Sequence, residues 1–353
     1  MSHSIPCMIM RGGTSRGPYL RLEDLPNDRE ACAAILQHIM GAGHELQLDG
    51  IGGGNSLTSK VAMVGRSDCA EADVDYLFAQ VGIAEKKVDF SPNCGNMLAG
   101  VAPFAIETGL VMPQACSTLV RIRNLNTNKI IHAQVPTVDG NVVYDGDTLI
   151  SGAPNPAAPI KLTFIDVQGA KTGRLFPTGH LLDEIDGITV TCIDAAMPCV
   201  LIHASDLGKT GSETPAELDS DEVFMARLEK LRRQAGQRMG LGDVSEQVIP
   251  KPVLLSAARH GGTLQARYFV PQRCHKALAV TGSIAIATAA GFPETVAGQL
   301  IAPATELSLV QIEHPTGSID LEVVRDELNP AQVKAVSLLR TARKILSGTV
   351  FLP

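Results

Sequence analysis

The chain reads as short apolar runs separated by glycine-rich turns, with few stretches of helical spacing. Ile5 to Met10 is apolar and runs into Arg11-Gly12-Gly13-Thr14-Ser15-Arg16-Gly17, the pattern of a strand entering a tight turn. Arg29 to Met40 has helical spacing, with Asp28 or Asn27 as its cap and Gly41 and Gly43 to end it. A second flexible loop, Asp49-Gly50-Ile51-Gly52-Gly53-Gly54-Asn55-Ser56, precedes an apolar strand from Ser59 to Val64 that carries one lysine, Lys60. Tyr76 to Val81 and Lys87 to Phe90 predict further strands of that sheet. Met97 to Ile106 is apolar on every side, so it predicts a buried helix capped by Asn93, kinked at Pro103 and stopped at Gly109. Alternating segments from Ser117 to Val143 predict hairpins, and Gly152 to Pro159 an irregular connection.

The second half repeats this layout. Ile188 to Ile193, Cys199 to His203, Val253 to Leu255 and Leu264 to Val270 predict strands, and Asp219 to Met239 an amphipathic surface helix. Val280-Thr281-Gly282-Ser283 leads into a second all-apolar helix ended by Gly291. Ile319 to Arg325 alternates as an exposed strand does. Gln332 to Leu346 shows helical spacing with Arg340, Arg343 and Lys344 outward, or is in part a strand. The layout is a pseudo-repeat in an α+β chain: short strands wrapped around one buried helix in each half. The expected domains are 1–185 and 186–353, with the last segment able to cross back to the first.

Composition narrows the functions. The 353 residues hold 45% apolar and 19% charged side chains, which suits a folded protein of two cores. A net charge of −7 argues against a nucleic-acid surface, while leaving room for an anionic small substrate. No stretch reads as a signal peptide or a membrane span, so a cytoplasmic protein with reduced thiols is expected. The eight cysteines show no CxxC and no zinc spacing, so no metal is expected.

Two residues stand out chemically. Cys94 lies at a predicted helix start, where free N–H groups and the dipole favour a thiolate able to act as base or acid; it also reads as a buried structural cysteine. Lys60 enters an apolar segment after a glycine loop. Desolvation there would make it a general base, and the same residue also reads as an exposed lysine on a strand face. Arg11 and Arg16 bracket a turn and would clamp a carboxylate, or are ordinary surface charge. The Gly52–Gly54 loop meets neither GxxxxGK[ST] nor GxGxxG, which disfavours a nucleotide. No GxSxG elbow marks a hydrolase. His260, His275 and Lys276 precede the second helix as candidates for holding substrate charge.

The segments MRGGTSRG, DGIGGGNSLTSK, SPNCGNM and HKALAVTGSIA, in that order, resemble the methylaconitate isomerase and 4-oxalomesaconate tautomerase (PrpF-like) family of the diaminopimelate-epimerase-like superfamily, over essentially the whole chain. The resemblance implies two similar domains, each a β-barrel-like sheet around a central helix, with a site between them where Cys94 and Thr281 face each other. It implies isomerisation without metal, nucleotide or other cofactor. Epimerases of the superfamily use one cysteine per domain; Thr281 stands at the second position, so two-cysteine racemisation is disfavoured and Lys60 with Cys94 becomes the implied catalytic pair. The implied substrate contacts are Arg11, Thr14, Ser15, Arg16, Gly53, Asn55, Ser56, Asn93, Gly95, Asn96, Met97, Lys276, Thr281, Gly282 and Ser283. The expected partner is a small polycarboxylate, with no nucleic acid and no membrane; a homodimer is left open. The competing readings are an amino-acid racemase or epimerase, and a non-catalytic accessory protein for an iron–sulfur hydratase.

Overall fold

The computed structural model describes residues 4–270, 272–301, 308–326 and 333–352. The chain divides into two compact units, Met1–Thr163 with Leu339–Pro353, and Phe164–Leu338. The first division falls before the 185/186 boundary read from the sequence. The fold is mixed α+β with an extensive sheet.

In chain order the elements begin with β1 (Ser4–Gly12), β2 (Ser15–Arg21), α1 (Arg29–Met40), β3 (Lys60–Arg66), β4 (Val74–Val81), β5 (Val88–Asp89), α2 (Gly95–Leu98) and α3 (Val101–Glu107). There follow β6 (Ser117–Asn124), β7 (Lys129–Val138), β8 (Asn141–Val142), β9 (Ile160–Ile165), β10 (Asp183–Ile185), β11 (Ile188–Asp194) and β12 (Pro198–His203). Then come α4 (Pro215–Ser220), α5 (Glu222–Arg238), β13 (Lys251–Ser256), β14 (Leu264–Tyr268), α6 (Val280–Ala290), β15 (Leu309–His314), β16 (Gly317–Arg325), β17 (Val333–Arg340) and β18 (Ala342–Phe351).

In the first unit β1 pairs antiparallel with both β18 and β2. The next pairings are β2–β3 parallel, β3–β4 antiparallel, β4–β6 parallel and β6–β7 antiparallel. Parallel neighbours need a crossover between them. Here α1 lies in the β2-to-β3 crossover and α2 with α3 in the β4-to-β6 crossover. In the second unit β11–β12 is antiparallel, β12–β13 parallel, β13–β14 antiparallel, β14–β15 parallel and β15–β16 antiparallel. The order of pairings is the same, with α4 and α5 in one crossover and α6 in the other.

Local chemistry explains several boundaries. The Asp28 carboxylate accepts from Ala31 N, and Gly41 closes α1 in the left-handed conformation. Thr214 and Glu217 form a capping box at α4, with Pro215 just inside. Asp221 interrupts the long helix expected from Asp219, and its side chain caps α5 by accepting from Phe224 N.

Two expectations need correction. The all-apolar segment is two helices, α2 and α3, which part at Gly100 and not at Pro103. A Cβ on Gly100 would lie 2.4 Å from the Tyr19 hydroxyl oxygen, so the missing side chain there makes room for that ring. Pro103 sits in the first turn of α3, where its missing N–H costs nothing. For the C-terminal segment the strand reading holds and the helix does not: it forms β17 and β18, with Gln332 outside the described residues. Residues 343–349 are exposed on both faces of β18, so no period-two signal is written there, and Arg340 is buried instead of outward.

Candidate active site

The candidate residues of the first unit lie on β3 and β4, in the turn between β1 and β2, and at the start of α2, which packs on β1, β2 and β3. Lys60 is the first residue of β3 and stands directly across from Gln80 of β4; Ala62 stands across from Phe78 and Val64 from Tyr76. Cross-strand partners and alternate residues share one face of a sheet. That face therefore carries Lys60, Gln80, Phe78 and Tyr76 in a row. The Lys60 ammonium donates to Gln80 Oε1 at 2.6 Å and lies 5.2 Å from the Phe78 ring centre. At the far end of the row Tyr76 Oη donates to the Cys94 carbonyl at 3.3 Å.

Cys94 is the N-cap of α2, with extended backbone and no side-chain cap bond, and its side chain is half-buried. The expectation that Asn93 caps this helix is corrected: Asn93 precedes the cap, and Gly95 is the first helical residue. The helix has only one turn, so its dipole is smaller than a long buried helix would supply. Tyr19 donates to the Met97 carbonyl at 2.5 Å. Burial first, and then the neighbouring Cys94 thiol, hold both Tyr19 and Tyr76 well above the usual phenol range. Both stay neutral donors that pin the carbonyls around Cys94.

The turn between β1 and β2 supplies polar groups. Gly13 has φ +54°, and a Cβ there would lie 2.2 Å from Asn96 Oδ1, so only glycine fits. Asn96 Nδ2 donates to Thr14 Oγ1 at 2.9 Å. Asn96 Oδ1 and Ser15 Oγ are buried with no hydrogen-bond partner among the described residues. Gly17 brings its backbone against the Lys60 carbonyl, where a Cβ would lie 1.9 Å away. Arg11 spends one guanidinium nitrogen on Gly13 O, Thr341 O and Thr341 Oγ1, so it braces the turn. Burial first and then the charge of Arg343 lower its pKa. Arg16 is half-buried, and its guanidinium has no side-chain hydrogen bond or ion pair among the described residues; it lies against Gly53. Arg16, more than Arg11, is the cation available to a carboxylate.

The glycine loop before β3 is held by a residue that its local sequence does not mark. Gln47 is buried, accepts from Gly54 N at 3.0 Å and donates to Ser59 Oγ at 2.8 Å. Asn55 and Ser56 lie exposed in the turn; Asn55 Oδ1 accepts from Leu57 N. Gln80, Tyr19 and Tyr76 also escape the sequence reading. The alternation Tyr76, Phe78, Gln80 was the signal for two of them.

The remaining candidates belong to the second unit. Thr281, Gly282 and Ser283 are buried in the first turn of α6, after the N-cap Ala279, and Ser283 Oγ donates to Val280 O at 2.7 Å. A Cβ on Gly282 would lie 2.2 Å from the Tyr268 ring, so this glycine serves packing. Lys276 and His260 are exposed, and His275 Nδ1 accepts from Ala277 N. Among the described residues, no three His, Cys, Asp or Glu side chains gather where they could share a metal ion. Among the same residues, no helix is long and apolar enough to cross a membrane.

Comparison with known proteins follows the same outline. The chain is 48% identical to the 4-oxalomesaconate tautomerase of Pseudomonas putida, over 98% of this chain and 95% of that one. It is 36% identical to the 2-methyl-aconitate isomerase of Shewanella oneidensis, over 99% and 97%. A crystal structure of methylitaconate-delta-isomerase superposes with a TM-score of 0.87 at 34% identity, covering 99% of this chain and 96% of that one. The PrpF protein family matches residues 2–353, and with its length so covered the chain belongs to that family of isomerases.

Proposed function

We propose that the protein isomerises a small unsaturated tricarboxylate by moving a proton along an allylic system, with 4-oxalomesaconate as the first substrate to try. The 48% relative carries that compound in its name, against 36% for the methylaconitate enzyme. The observation that carries the chemistry is the row on β3 and β4: Lys60 at one end, and Tyr76 bonded to the Cys94 carbonyl at the other.

In this reading Lys60 removes a proton from the carbon γ to a carboxyl-conjugated double bond. The C–H bond breaks, an N–H bond forms, and the electron pair spreads into a dienolate. Cys94 returns a proton at the other end, or Lys60 does so with Cys94 holding the reacting carboxylate. The double bond moves, or the intermediate rotates and yields the other geometric isomer. The conjugated carboxylate takes the charge, so the step calls for no external electron sink. Arg16 and Ser15 are the proposed carboxylate partners, because both can donate and neither side chain has a hydrogen-bond partner among the described residues. Asn96 Oδ1, buried and unpartnered but able only to accept, is proposed to face a proton-bearing group of the substrate. The racemase alternative needs a second thiol at the start of α6, where Thr281 stands. We further propose the two-domain, epimerase-like organisation for which the repeated pairing order argues.

The test mixes purified protein with 4-oxalomesaconate, and separately with 2-methylaconitate, in deuterated water. Ultraviolet absorbance follows isomerisation and mass spectrometry follows deuterium entry. Turnover of neither compound, with no exchange, overturns the reading.

A further inference from the structure

We propose that Gln80 is the positioning residue of Lys60, and that its being an amide and not a carboxylate keeps the lysine usable as a base. The inference rests on Lys60 acting as the base, and deepens that reading. Lysine carries its nitrogen on a flexible four-carbon stem, so a base of this kind needs something to aim it. Gln80 is placed to do so by register: it is the direct cross-strand partner of Lys60, and its Oε1 accepts from Lys60 Nζ at 2.6 Å.

The amide is itself held. Its Nε2 donates to Ser59 O at 2.8 Å and to Ser56 O at 3.3 Å. Those two carbonyls decide which end of the amide faces the lysine. Turning it over would set an N–H against the ammonium and leave both carbonyls without their donor. The Phe78 ring closes another side of the nitrogen. One N–H is thus engaged by the amide oxygen and a second direction is blocked by the ring, leaving the rest of the nitrogen for substrate. A glutamate here would make the same bond, but its charge would favour the ammonium over the amine that must take the proton. A neutral acceptor aims the group without that cost.

The experiment compares Gln80→Glu and Gln80→Met in the full-length protein, using 4-oxalomesaconate as substrate. Both variants lose the amide donors to Ser56 and Ser59, and the glutamate also sets an oxygen against those carbonyls, so the position of the pH limb, not the size of the loss, reports on what faces Lys60. The readouts are kcat/KM against pH and deuterium entry into substrate, with circular dichroism as the check on fold. For Gln80→Glu, the limb along which kcat/KM rises with pH should move up by about one pH unit. That is roughly a ten-fold loss below the limb. Gln80→Met should leave the limb in place and lower kcat by about ten-fold or more, because the base is no longer aimed. Equal losses with unmoved limbs would make Gln80 a brace for the 56–59 turn and overturn the proposal. So would two variants with wild-type profiles beside an inactive Lys60→Ala, an outcome that leaves Lys60 as the base. A Lys60→Ala protein that exchanges deuterium at the wild-type rate overturns the base assignment itself, and Gln80 falls with it.

Discussion

The two units share an order of strand pairings but not a chemistry. In the first, the apolar segment after β4 is two helices that part at Gly100, it begins at a half-buried thiol, and Tyr76, from the row that also carries Lys60 and Gln80, donates to the Cys94 carbonyl. In the second, α6 is a single eleven-residue helix, buried throughout, whose first turn holds Thr281, Gly282 and Ser283 and no titratable group. Even the tyrosines differ in use. Tyr76 donates to the backbone at Cys94, whereas Tyr268 packs beneath Gly282. One topology therefore carries a thiol and a lysine in one unit and Thr281, Gly282 and Ser283 at the helix start of the other. What the site can do depends on which side chains occupy equivalent places.

The comparison breaks most sharply at Lys60. Lys60→Ala should lower turnover by about 10³-fold, the scale of a lost general base, with the fold intact by circular dichroism. Deuterium entry into substrate is the measurement, and a wild-type rate would remove the chemical distinction between the units. Cys94→Ala should cost about 10²-fold in kcat/KM. A loss confined to KM would make the thiol a substrate holder instead of an acid.

The second unit should respond in stability. In Gly282→Ala the new methyl meets the Tyr268 ring, and overpacking of this kind costs about 1–3 kcal/mol. Denaturant unfolding reads that directly; an unchanged midpoint would mean that α6 shifts freely, contrary to its complete burial.

Thiol labelling gives the smallest and finest contrast. Burial pushes the thiols of Cys192 and Cys199 well above the usual range and that of Cys274 up to about 12. At pH 8 these three should stay unlabelled by iodoacetamide, while exposed Cys116 and half-buried Cys94 react. Citrate should protect Cys94 and leave Cys116 unprotected, as read by peptide mapping. The same shifts carry a sign for stability. The unfolded thiols ionise from about pH 8.5 and the folded ones do not, so stability is full below that pH. Above it each group should withdraw about 1.4 kcal/mol per pH unit, until its folded pKa is reached.

Much of this was written locally. Strands such as Tyr76 to Val81 were legible because a short run of apolar and aromatic residues is enough to mark them. The helix from Arg29 to Met40, its Asp28 cap and its glycine stop were legible because capping acts within one turn of chain. Lys60 and Cys94 could be singled out from their neighbours and from the family motifs that contain them. The same local reasoning left helix and strand open at β18, where both faces are exposed and no burial pattern constrains the residues.

The sequence by itself thus determined the α+β character, the repeated order of elements and the candidate pair Lys60 and Cys94. Only the tertiary structure decided what surrounds that pair. Gln80 across from Lys60, Gly17 against the Lys60 carbonyl and the Tyr19 ring against Gly100 are all contacts between segments distant in the chain. Strand register sets the pairing of Gln80 with Lys60, and a shift of one residue would turn Gln80 to the other face. Register depends on how whole strands pack together, so no single segment of sequence contains it.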